Sequence, residues 1–141
     1  MTNASALFVM QTTLETALNV AAVTNLAPVF DAVPEGQAYP YVEIGELEET
    51  VSDVFTKNGR SVLASIHVLS EQPGYNETEA IVEQLSLLLH QAPGAAAFAI
   101  DPATGWRCFT NEYEIGTAAK EFDVVEVRHV IVRYRFELEQ I

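Results

Sequence analysis

Between Arg60 and Ser70 the even positions Val62, Ala64, Ile66 and Val68 are apolar, and Ser61, Ser65 and His67 oppose them. A two-residue period puts the apolar set on one side of a pleated strand. The segment must therefore rest one face on a core. Leu63 and Leu69 interrupt the alternation, so the other face is only partly wet.

A strand with one apolar face needs a layer to cover it, and two segments have helical spacing. From Ala6 to Val23, Leu7, Met10, Leu14, Ala17, Leu18 and Ala21 recur every three or four residues, with Ser5 as N-cap and Pro28 as a stop. After the Pro73-Gly74 turn, Asn76 and Glu79 have the spacing of a capping box. Ile81, Val82, Leu85, Leu88 and Leu89 then form a broad stripe, ended by Pro93-Gly94. His90 falls at the negative end of that helix dipole.

The remaining segments read as strands. Val29 to Val33 is short and precedes a turn at Pro34 to Gln37, and Tyr39 to Gly45 follows, with proline only at its start. Glu46 to Thr56 reads as a strand end running into a mobile acidic loop. Ala96 to Ile100, Trp106 to Ile115 and Phe122 to Leu138 follow, with a turn at Asp101 to Gly105 and a break around Gly116 to Lys120. The apolar phase of the last segment slips near Arg128-His129-Val130, which predicts a β-bulge there. Helix, three strands, helix, three strands gives an α+β fold: two helices packed on a mainly antiparallel sheet of about five to six strands.

The 141 residues suit one domain spanning 1–141. No apolar run approaches the roughly 20 residues that cross a bilayer. No Lys or Arg precedes the first apolar stretch, so no secretory signal is expected. Cys108 is the single cysteine, which excludes an intrachain disulfide and a cysteine-rich zinc site. Net charge is −13, and eight acidic residues precede the first basic one, Lys57. That distribution disfavours direct binding to nucleic-acid phosphate.

Catalytic constellations are missing from the sequence. The glycines are scattered, which leaves no phosphate-binding loop. The histidines, His67, His90 and His129, have no metal-ligand spacing and read as structural. No serine sits in a Gly-x-Ser-x-Gly elbow. No catalytic, cofactor or metal residue is assigned, and no enzyme activity or cofactor is expected.

Charge patterning supplies the candidate interaction residues. Glu46, Glu48, Glu49 and Asp53 form an acidic group without the residue order of a calcium loop. Lys57 and Arg60 flank Gly59, and Arg128, Arg133 and Arg135 cluster on the last strand. There Arg133 and Arg135 point away from Tyr134 and Phe136. In an assembly of identical subunits, an acidic loop on one copy can meet a basic strand on the next, which sets register more than affinity.

The run Val29-Phe30-Asp31-Ala32-Val33-Pro34-Glu35-Gly36-Gln37-Ala38-Tyr39-Pro40-Tyr41-Val42-Glu43-Ile44-Gly45 resembles the pattern of phage tail-completion, or tail terminator, proteins. The resemblance continues through Lys57-Asn58-Gly59-Arg60, the strand ending His67-Val68-Leu69-Ser70, the helix Glu77 to His90 and the strand Val130 to Phe136. It covers the chain from the first helix to about Leu138. Gly94 to Lys120 matches loosely, and Glu46 to Asp53 is heavier in carboxylates than the pattern.

The resemblance implies a two-helix α+β domain that forms a six-membered ring on the tail tube. Such a ring stops tube growth and offers a surface to the head–tail connector protein. The implied partners are copies of the chain, the tail tube protein and that connector, with no nucleic acid or membrane. The implied location is the virion neck, and the host cytoplasm during assembly. Two other readings are a head-to-tail joining or minor tail component of the same fold, and an acidic mimic that binds a host protein.

Overall fold

In the computed structural model, residues 5–53, 57–122 and 125–141 are described. Val54 to Thr56, the end of the expected acidic loop, lie outside them. The helices are α1 (Ala6–Leu18), α2 (Ala21–Thr24) and α3 (Asn76–Leu89). The strands are β1 (Val29–Phe30), β2 (Tyr41–Val51), β3 (Gly59–Ser70), β4 (Trp106–Phe122) and β5 (Glu126–Gln140). They form one sheet in the order β1-β2-β3-β5-β4. Among the described residues only the β1–β2 pair is parallel. The architecture is α+β, with both long helices on one side of a mainly antiparallel sheet.

The alternation of β3 builds the core as its period requires. Val62, Ala64, Ile66 and Val68 are buried beside Val132, Tyr134, Phe136 and Leu138 of β5 and Val42 and Ile44 of β2. Helix α1 covers this inner face with Ala6, Val9, Met10, Leu14 and Leu18, and α3 does so with Ile81, Leu85 and Leu89. Burying one such aliphatic side chain contributes about 1.5–3 kcal/mol. Inside this layer the Tyr134 hydroxyl is not orphaned, because it lies 2.7 Å from Ser86 Oγ on α3.

Several local expectations change. The first helix stops at Leu18, where the Asn19 side-chain amide donates to the Glu15 carbonyl (2.6 Å), and Val20 separates it from α2. Ser5 sits at the N-cap without a side-chain bond, and Ala21 is exposed. The Asn76–Glu79 capping box does not form. Tyr75 is the N-cap, Asn76 already lies in the helix, and Thr78 Oγ1 donates back to the Tyr75 carbonyl (3.0 Å). The Pro34 turn forms as expected, closed by Gln37 N–H to the Pro34 carbonyl with Gly36 at φ 77°.

Ala96 to Ile100 is not a strand. The position beside β4 is already taken: Gln91 N–H donates to the Asn111 carbonyl (2.8 Å), and Tyr113 N–H donates to His90 Nδ1 (3.0 Å). Phe98 instead drops onto Phe136, ring centroids 5.2 Å apart. His90, the C-cap of α3, thus accepts a hydrogen bond at the sheet margin.

No break occurs at Gly116 to Lys120, because β5 pairs with β4 continuously from Ile115↔Arg133 to Phe122↔Glu126. Nor does β5 bulge near His129, since its register with β3 runs unbroken from Gly59↔Glu139 to Ser70↔Arg128. Register shifts occur elsewhere, at Ile44/Leu47 where β2 pairs with β3, and at Cys108/Thr110 and Tyr113/Ile115 in β4. The apparent slip in β5 has another cause. Val127 is buried on the outer face, outside the helix-covered core.

Candidate functional site

The outer sheet face, which no helix covers, carries Ser61, Leu63, Ser65, His67 and Leu69 of β3 beside the odd-numbered side chains of β5. Arg133 and Arg135 point here, away from buried Tyr134 and Phe136, as the alternation predicts. Their guanidinium groups lie over the serines of β3. Arg133 Nε donates to Ser65 Oγ (3.1 Å), and Arg135 Nη1 donates to Ser61 Oγ (2.7 Å). Arg128 does not join them. It faces the helix side, with its guanidinium 5.4 Å from the Tyr75 ring and an ion pair to Glu126.

Three of the four acidic residues belong to the strand rather than to the loop beyond it. Glu46, Glu48 and Glu49 are part of β2, and only Asp53 lies beyond it. The bulge that sets Gly45 and Glu46 against Ser65 flips the alternation, so Glu49 and Arg60 come together (3.4 Å), with Asp53 on the same guanidinium (3.0 Å). Lys57 reaches Glu139 at 3.9 Å. Arg135 pairs with Glu114 of β4 through two hydrogen bonds, the longer 3.0 Å. That bond holds the Glu114 carboxyl below its ordinary range and raises Arg135.

Most candidate cations are thus satisfied within the chain. Among the described residues, Arg133 and Glu48 have no oppositely charged group within 4.0 Å.

In the sequence His67 and His129 are separate strand residues, whereas the fold joins them. His67 Nδ1 lies 2.7 Å from His129 Nε2, and His129 Nδ1 lies 2.6 Å from a Glu121 carboxylate oxygen. On the far side, His67 Nε2 is 3.5 Å from Glu46. Backbone hydrogen bonding at Glu46 itself holds its carboxyl below the usual range, and His67 adds to this. Sixty-two residues separate the two rings, so only the β3–β5 register could have brought them together.

Strand β4 forms a sheet edge. Its residues Glu112 to Glu121 are all exposed, Tyr113 and Ile115 among them. An open groove of about 370 Å³ lies between this arm and α3, lined by Tyr75, Val82, Gly116 and Val130 among others. Ordinary hydroxyls and Glu79 are its polar groups, with no converging reactive set. Among the described residues no group of three His, Cys, Asp or Glu side chains could hold a metal ion. No described helix is long and apolar enough to cross a membrane.

A one-sided α+β sheet with an exposed edge strand and a charged open face is the build of an assembly subunit, and comparison with known proteins gives the same class. The family model for tail completion protein gp17 matches residues 10–138. The chain belongs to that family and is a structural component of the phage tail and of the virion. It is also similar in fold to a chain from a structure titled "Virion of native gene transfer agent (GTA) particle". That match has a TM-score of 0.70 and 20% identity, over 96% of this chain and 95% of that one. None of the curated proteins matches the chain.

Proposed function

We propose that the chain caps the end of the tail tube as a six-membered ring of its own copies, ending tube growth and presenting a surface for head attachment. The observation that carries this is the β4 arm, ten successive exposed residues on a sheet edge, where His90 meets Tyr113 N–H but Ile115 beyond it is uncovered. Monomeric proteins blunt or cover such edges, because unpaired strand groups template association. A second copy is the natural cover in a closed ring.

The partners under this reading are neighbouring copies, the tail tube protein and the head–tail connector protein. The role is structural and non-catalytic, and it calls for no cofactor. Glu46, Glu48, Glu49, Asp53, Lys57, Arg60, Arg128, Arg133 and Arg135 are candidate interface positions. Intrachain pairing narrows the strongest of these to Glu48 and Arg133, whose charges have no partner within 4.0 Å among the described residues. Each exposed pair formed between subunits is worth about 0–1 kcal/mol, so these residues set register while the arm supplies affinity.

Electron microscopy of particles made without the protein tests the proposal. Intact heads with tails of irregular, excessive length are expected. Tails of normal length that fail to attach would replace the terminator reading with a joining role.

A further inference from the structure

We propose that His67 and His129 form a proton-operated lock on the outer sheet face, which keeps its contact after taking up one proton and opens on taking up a second. Glu121, 2.6 Å from His129 Nδ1, fixes a proton on that nitrogen and leaves His129 Nε2 as an acceptor. His67 Nδ1, 2.7 Å away, must then donate to it. Two protons on two neutral rings satisfy both short contacts.

The one ring nitrogen left bare is His67 Nε2, which faces Glu46 at 3.5 Å. A third proton there makes an imidazolium between Glu46 and, through His129, Glu121, with the short contact unchanged. A fourth would have to sit on His129 Nε2. It would set N–H against N–H across 2.7 Å, and the rings must part.

The groups around the pair are mostly acidic. Facing the pair are Glu43, the register partner of His67, and Glu46 from β2, Glu121 from β4, and Arg133 from β5. Three carboxylates stand against one guanidinium. Ser65 and Leu69 of β3 add no charge. The His67 and His129 side chains are only 12% and 17% exposed, so water cannot readily replace the contact. Gly45 completes the site, because a methyl group there would overlap the His67 ring. The four side chains run across β2, β3, β5 and β4, and opening the lock separates the Glu46–His67 half from the His129–Glu121 half. The lock stands on this geometry alone and does not require the ring.

Nitrogen-15 NMR of the imidazole rings in the full chain, followed through a pH series, tests it. A coupling across the hydrogen bond between His67 Nδ1 and His129 Nε2 is expected at neutral pH. It should survive uptake of the first proton and vanish with the second, together with shifts in the Glu121 and Ala119 amides. Glu121→Gln keeps an acceptor oxygen but loses the charge, and should weaken binding of the first proton about two- to fivefold. Absence of the coupling, with each ring titrating in one independent step, would overturn the lock. So would equimolar zinc displacing the shared proton at neutral pH, which would assign the site to a metal ion.

Discussion

Glu114 and Arg135 show how one pair of side chains ties the edge strand to the sheet. The pair links β4 to β5, and its hydrogen bonds favour the ionised carboxylate, so Glu114 loses its proton more readily folded than unfolded. With a lowered folded value, its contribution is present above the ordinary carboxylate range and is lost as pH falls through that lowered value. Urea midpoints measured from neutral to acid pH should therefore fall less steeply for Glu114→Gln than for the parent. Cys108 gives a second test at this scale. Burial pushes its thiol up to about 12, and its Sγ donates to the Thr110 carbonyl at 3.1 Å. At pH 8 the folded chain should react with a disulfide reagent far more slowly than the urea-unfolded chain; equal rates would contradict the burial.

At the scale of elements, α3 is the best test of how the layers hold together. Leu85 lies midway along it, fully buried over the sheet, with Ile81 and Leu89 one turn to either side. Leu85→Ala should cost about 2–5 kcal/mol, read as a lowered denaturant midpoint with little change in slope. This helix and β3 were legible in the sequence because each has a dominant apolar period and is bounded by turn residues. Segments whose partner decides their state were not legible. Ala96 to Ile100 is apolar enough for a strand, yet His90 and Gln91 already occupy the backbone it would need. Gly116 to Lys120 has the small residues of a break, yet continuous pairing with β5 keeps it extended.

At the scale of the whole molecule, the helix-covered face is spent on the core while the outer face and the β4 edge remain for contacts. Ile115→Lys in the full chain should leave the thermal midpoint nearly unchanged, because Ile115 is 49% exposed and outside the core cluster. The same change should abolish ring density at tail ends seen by electron microscopy. Normal rings in that variant would move the subunit contact away from the arm. The charged positions named from sequence alone share neither a face nor a free partner. Arg128 turned inward, and Arg60, Lys57 and Arg135 found carboxylates in their own chain.

What the sequence determined by itself was periodicity and punctuation: which faces of β3, β5 and α3 are apolar, where the Pro-Gly turns fall, and the ordered run from Val29 to Gly45 that marks the family. These are local properties, written in residues a few positions apart. The tertiary structure decided which strands are neighbours and in what register. Register depends on how whole faces pack rather than on any one segment, and it set the bulge at Gly45 and the exposure of β4. It also brought His67 to within 2.7 Å of His129, a contact between residues 62 positions apart that no local pattern specifies.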